Sequence, residues 1–171
     1  MNSHLERLRA AIDAATHGMT AEDLTRHPEG KWCASEVLEH LSLTYTGTAR
    51  GFEKCLQAGR PLATALTFKQ RLAVVVVTGL GYLPGGRQAP ENTRPKGAPA
   101  ENVAAEIGAK IEAMDKAIAE CEARYGKSTL LLDHPVLGPL TANQWRKFHW
   151  VHGKHHVKQI QGLRSGVRNA G

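Results

Sequence analysis

Leu5, Leu8, Ile12 and Ala15 recur every three or four positions among polar neighbours, which predicts a first helix over 4–17. In "GMTAED", Thr20 is placed to N-cap a short turn, and "RHPEGKW" reads as a loop. A second helix is predicted from about Cys33 to Ala58, ending before Gly59 and Pro61. Its inward stripe is Val37, His40, Leu41, Thr44, Thr48, Gly51, Phe52 and Cys55, so one imidazole sits on an otherwise apolar or small face. Four successive valines at 74–77 favour a strand by propensity. The rest of the chain reads helical and offers such a strand no partner, so a short buried helix is expected over 67–82. The stretch 83–99, dense in proline and glycine, is a loop long enough to be functional or mobile.

The third long helix has the most regular pattern: Val103, Ile107, Ile111, Met114, Ile118, Cys121 and Tyr125 fall on one stripe, and Gly126 suits the position just past its end. "LLDHPVLGPL" follows as an ordered connector. Thr141 and Gln144 then have the spacing of a capping box, and Leu140 and Trp145 that of a hydrophobic staple. A fourth helix should therefore start at 142 and end near Gly166, leaving 166–171 as a loose tail. The expectation is a single all-α domain over 1–171.

The 171 residues suit one domain with a sizeable core. The N-terminus is polar and amphipathic rather than a secretory signal, and the longest apolar run, 72–83, is shorter than the roughly 20 residues that span a bilayer. Cys33, Cys55 and Cys121 are odd in number and form no CxxC pair, which favours reduced thiols in a cytoplasm. The net charge of +6 is compatible with nucleic acid or an anionic substrate. No RNP, zinc-finger or Lys/Arg-block motif accompanies it, so a solvated basic surface is the simpler reading. No specific nucleic acid or membrane partner is expected.

"FHWVHGKHHVKQI" (148–160) concentrates four histidines. At about 100° per residue, Trp145, His149, His152, His156, Gln159, Ile160 and Leu163 share one helix face, with His155 to one side. The apolar ends of this stripe point it inward, and buried polar groups without partners are costly. His152 and His156, at i and i+4, can reach one point. This is the spacing of H-E-x-x-H metalloproteases, but residue 153 is Gly, so that motif is absent. His40, alone on the core face of the second helix, is the natural third ligand. Three neutral nitrogens without thiolate suit Zn²⁺, Ni²⁺, Fe²⁺ or Mn²⁺ and leave a coordination position open. The competing reading is a set of core histidines bonded to one another or to carbonyls. His149 is a fourth ligand, a partner of a ligand or a capped core residue; its position a turn below the pair favours the second. Gln159 is placed to orient a ligand or bound water. Glu36, one turn before His40, has either that role or a capping role at the helix start. Thr44, Thr48 and Gly51 leave space beside the metal, and Tyr45 is a substrate contact or a boundary residue.

"KWCASEVLEHL" (31–41) resembles the W-S-x-x-E-x-L-x-H-L opening of the second helix in the DinB/YfiT-like metalloenzyme superfamily. "HPVLGPLTANQWRKFHWVHGKHHVKQI" (134–160) resembles its H-x-x-H-H-x-x-Q element. With "RPKGAP" (94–99), the chain is most similar to a DinB-related branch catalogued as a domain of unknown function. Cys33 departs from the pattern, where serine is usual as the N-cap. The resemblance covers roughly 30–160. It implies a four-helix bundle with a long crossover and an extra short helix, a divalent metal on His40, His152 and His156, and the homodimer that many relatives form. It further implies thiol-dependent S-transfer or isomerisation with a low-molecular-weight thiol such as bacillithiol or mycothiol, the activity often found in the wider superfamily. For this branch it supplies no activity.

The expected function is therefore that of a metal-dependent, thiol-using transferase or isomerase acting on a small molecule, with Lewis-acid activation of a bound thiol or water. Its catalytic residues are not assigned. The helix face that carries the histidines has no carboxylate, which disfavours a protease-type glutamate base. The alternative is a non-catalytic metal- or small-molecule-binding module related to stress.

Overall fold

Asn2 accepts the His4 N–H and starts α1 (Ser3–Thr16), which buries Leu5, Leu8, Ile12 and Ala15 as the spacing predicts. The computed structural model describes residues 1–81 and 88–168, with side chains through Arg164. Thr20 and Asp23 close a capping box on the short α2 (Ala21–Thr25). Next comes α3 (Ala34–Gln57), where the Glu36 carboxylate accepts the Cys33 N–H at 2.9 Å. Cys33 is a weak cap, and Glu36 supplies a charged acceptor for an end that would otherwise fray. α5 (Ala100–Tyr125) ends at Gly126, whose φ of 99° an L side chain rarely adopts. α6 (Ala142–Arg168) opens on the Thr141–Gln144 box: the Thr141 N–H donates to Gln144 Oε1 at 2.9 Å and the Gln144 N–H to Thr141 Oγ1 at 3.3 Å. It runs two residues past the expected end; residues 169–171 of the expected tail lie outside the described residues.

The described chain is mostly helical. α3 packs chiefly on α5 and α1 on α6, with α3–α6, α1–α5 and α5–α6 contacts closing the core. Between α5 and α6 the buried Arg146 guanidinium donates to Asp115 at 2.9 Å and to Glu122 at 2.6 Å. Asp115 also accepts the Asn2 N–H at 2.7 Å, which ties the start of α1 to the same network. A buried charge is tolerable when it is paired this fully.

Two expectations need correction. The segment expected as a buried helix over 67–82, of which 82 lies outside the described residues, is helical over 68–79 but largely on the surface: α4 (Phe68–Val74), capped by Thr67, continues into a π-helical turn over Val75–Gly79. Val74 and Val77 are buried, whereas Phe68 is 74% and Leu80 77% exposed. The π turn rotates the valine run so that it presents one edge to the core rather than a whole face. The connector, in turn, contains a hairpin: β1 (Leu132–His134) pairs antiparallel with β2 (Gly138–Leu140). It is the only sheet among the described residues.

Gly153, which breaks the metalloprotease motif, serves helix packing. A Cβ at this position would lie 2.2 Å from Leu8 Cδ1, and Leu8 is fully buried with nowhere to go. Gly153→Ala is expected to destabilise the chain by about 1–3 kcal/mol through overpacking, read as a lower melting temperature. Combining it with Leu8→Ala should cost less than the sum of the two single changes. Strict additivity would refute the contact.

Candidate metal centre

α3 brings His40, and α6 brings His152 and His156, to one point. His152 Nε2 lies 3.3 Å from His40 Nε2 and 3.1 Å from His156 Nε2. Nitrogens bound at about 2.0–2.1 Å to one ion stand roughly 3 Å apart at tetrahedral or octahedral angles, so the spacing suits a shared cation.

The outer faces of the rings fix the tautomers. His40 Nδ1 donates to the Thr93 carbonyl at 2.8 Å. A carbonyl only accepts, so the proton is on Nδ1 and Nε2 is a bare lone pair. His156 Nδ1 faces Gln159 Oε1 at 2.7 Å, while the same amide's Nε2 donates to His155 Nε2 at 3.3 Å. His156 Nε2 is therefore bare as well. A proton on His152 Nε2 can point at one of these lone pairs but not well at both. A cation satisfies all three nitrogens, and the donor set, three neutral imidazoles, fits a divalent transition ion. His152 Nδ1 is buried and has no hydrogen-bond partner among the described residues. Phe148 instead stacks on its ring at 5.4 Å between centroids, which holds the ring plane.

Electrostatics agree with neutral ligands. Burial pushes His156 down to about 4, with His40 adding to the effect. Burial lowers His40 too, against the opposing Thr93 hydrogen bond. His152 is held well below the usual imidazole value, first by burial and then by His156 and His40. A histidine must lose its proton before it can bind a metal, and these rings are ready to do so at neutral pH.

The three histidines form part of the lining of a cavity of about 960 Å³. Thr44 and Thr48 line it from α3, and the Thr44 hydroxyl donates to the His40 carbonyl at 2.8 Å. Two connecting segments border it: residues 88–90, 92 and 93 from the Pro/Gly-rich loop, whose 83–87 lie outside the described residues, and 132–137 from the hairpin.

Other expected residues fall elsewhere. Glu36 caps α3 and lies 3.6 Å from His27, away from the histidine cluster. Gly51 does not flank the cavity: Leu132 fills the space where its Cβ would be, at 2.5 Å. Tyr45 is fully buried in the core and forms no cavity wall. His149 bonds to no ligand; it is fully buried against Tyr45, Trp145 and Phe148, and both ring nitrogens lack a partner among the described residues. The spacing placed it correctly a turn below the pair, but no described group hydrogen-bonds to either of its ring nitrogens.

Glu39 was not foreseen. Buried beside His40, its carboxylate accepts the N–H groups of Lys96, Gly97 and Ala98 at 2.9, 3.1 and 3.1 Å. Glu39 and His40 thus anchor the loop at two points. The pairing of "RPKGAP" with the glutamate before the histidine is the signal that would have found it. His134 was missed as a cavity residue; its Nδ1 accepts the Val136 and Leu137 N–H groups at 3.1 Å each.

No curated protein and no solved structure matches this chain. Residues 1–162 match the family described as "Protein of unknown function (DUF1569)", and the chain belongs to that family.

Proposed function

We propose that this chain is a divalent-metal-dependent enzyme of the DinB/YfiT-like kind, a four-helix bundle with a long crossover, acting on a small molecule with a low-molecular-weight thiol. The observation that carries this reading is the convergence of three Nε2 atoms, two of them with fixed bare lone pairs, from histidines that line a large cavity. A site meant only to hold a metal for stability would be closed by a fourth protein ligand. When bound, the ion would supply Lewis acidity, lowering the pKa of a coordinated thiol or water.

The chain's own residues do the rest. Thr93 and Gln159 hold the ligand rings in the tautomer that presents Nε2. Phe148 fixes the His152 ring. Residues 88–90, 92 and 93 and the hairpin flank the cavity. Asp133 is the one carboxylate on the wall among the described residues, and its Oδ1 accepts the Thr64 N–H at 3.0 Å. With no glutamate on the described wall, thiol transfer or isomerisation is favoured over glutamate-assisted hydrolysis. The three free, buried cysteines are in keeping with a reducing cytoplasm.

The test is to load the purified chain with Zn²⁺, Ni²⁺, Fe²⁺ or Mn²⁺ in turn and assay thiol addition to electrophilic substrates. Metal-dependent turnover that disappears in His40→Ala supports the enzyme. Full metal binding with no turnover of any thiol or electrophile would favour the alternative, a non-catalytic binding module.

A smaller change probes the cavity itself. Thr48→Leu puts a larger side chain on the wall beside the cluster without touching a ligand. It is expected to weaken binding of exogenous imidazole to the metal-loaded chain at least tenfold while metal content stays the same. Loss of metal in this variant would mean that the stripe is part of the ligand scaffold rather than of open space.

A further inference from the structure

The cavity wall has a chemical character of its own. The chain carries 22 lysines and arginines, yet none of them lines the cavity among the described residues. The walls are largely hydrocarbon, with Leu72, Val76 and Val77 from the α4 segment, Leu132 and Leu137 from the hairpin and Phe148 from α6. The polar wall groups are mostly neutral or already engaged. Thr44 is bonded to a carbonyl, His134 Nδ1 accepts two backbone N–H groups and so belongs to a neutral ring, and Asp133 accepts the Thr64 N–H. The apolar character also reaches the surface: Leu72 and Val136 line the cavity while 55% and 49% exposed.

We propose that the cavity selects a ligand with an uncharged, apolar body and one ionisable donor atom that reaches the three histidines, and that it discriminates against thiols bearing carboxylates. The inference rests on the metal-centre reading for the donor atom and on the wall for the body. Among the described lining residues, a negative charge has one place to be met, at the three Nε2 atoms and the ion they would hold. A second or third charge on the body would be stripped of water against hydrocarbon with no described lysine or arginine lining the wall, although the Arg94 guanidinium bonds to the lining Gln88 at 3.2 Å. An alkyl or aryl body loses nothing there and gains with each methylene buried. The volume of about 960 Å³ lies at the upper end of small-molecule sites, so the body is larger than the donor group alone.

The test uses the full chain loaded with Co²⁺ and follows thiol binding by the cobalt–thiolate absorption. Affinity is expected to rise about fourfold per methylene from ethanethiol to hexanethiol. Mercaptosuccinate, with two carboxylates, is expected to bind at least thirtyfold more weakly than butanethiol. Leu72→Lys, a change at a half-exposed rim position, should tighten mercaptosuccinate at least fivefold and weaken hexanethiol, with cobalt content unchanged. Full cobalt with mercaptosuccinate binding as tightly as butanethiol, or no dependence on chain length, overturns the proposal. Absence of bound cobalt refutes the metal centre instead. The same ligand pair is then compared by quenching of the Trp32 and Trp145 fluorescence, since both residues line the cavity, and equal quenching by the two ligands again overturns the apolar selection.

Discussion

His152→Ala is expected to reduce bound divalent metal from about one ion per chain to near zero. His152 is the middle ligand, 3.3 Å from His40 and 3.1 Å from His156 by Nε2. The outer two are each held from behind by a protein acceptor, Thr93 and Gln159, and keep their orientation when the middle ring is removed. What remains is a pair of imidazoles, which binds divalent ions far more weakly than three converging on one point. Gln159→Ala should give a graded result. Removing the partner of a ligand typically costs 10–100-fold in affinity, so metal would still bind at excess but leave on dialysis. His149→Leu should leave metal content unchanged, because that ring bonds to no ligand. Elemental analysis after dialysis against metal-free buffer, with circular dichroism to verify folding, distinguishes the three. A folded His152→Ala chain with unchanged metal would refute the site.

The histidine cluster was legible because α6 announces its own start. Once the Thr141–Gln144 box fixes the helix phase, His152 and His156 follow on one face, and His40 stands out as the lone polar residue of its stripe. The groups behind the ligands were less visible. Gln159 could be read, since it lies on the same helix. The Thr93 acceptor could not, because it is a backbone carbonyl in a loop and any residue type would supply it. Glu36 takes the second of its two readings, the cap, and Glu39 was missed, for a related reason. Helical spacing puts Glu36 on the His40 stripe, but the unfilled N-terminus of α3 claims its carboxylate first. Glu39 points off the stripe, and only the loop at 96–98, brought there by tertiary packing, gives it a role. The hairpin was hidden because three-residue strands carry too little alternation to register. The surface position of α4 was hidden because valines look buried on propensity alone.

Acid should unfold the metal-free chain steeply, and the cause lies in the same buried rings. Burial pushes His149 down to about 3, with His134 adding to the effect, and pushes His134 itself down to about 4. His156 is likewise lowered to about 4. In the unfolded chain these histidines titrate near the ordinary value of about 6.5. Above that pH both states hold them neutral, and stability is at its full value. As pH falls from about 6.5 toward the folded values, the unfolded chain takes up protons that the folded chain refuses. Stability therefore drops with falling pH, by about 1.4 kcal/mol per unit for each such histidine. Three acting together remove about 4 kcal/mol per unit, against a typical total of about 5–15 kcal/mol. The chelator-treated chain is thus expected to unfold cooperatively between about pH 5 and 4, where many small domains are still folded. Urea titrations at half-unit pH steps measure the slope directly. His149→Leu removes one of the three groups and should flatten the slope below pH 6.5 by about 1.4 kcal/mol per unit, so that the variant outlasts the parent in acid even if it starts less stable. A stability that stays level between pH 7.5 and 5 would mean that these imidazoles accept protons in the folded chain, and that the interior around His149 is far more polar than its aromatic neighbours indicate.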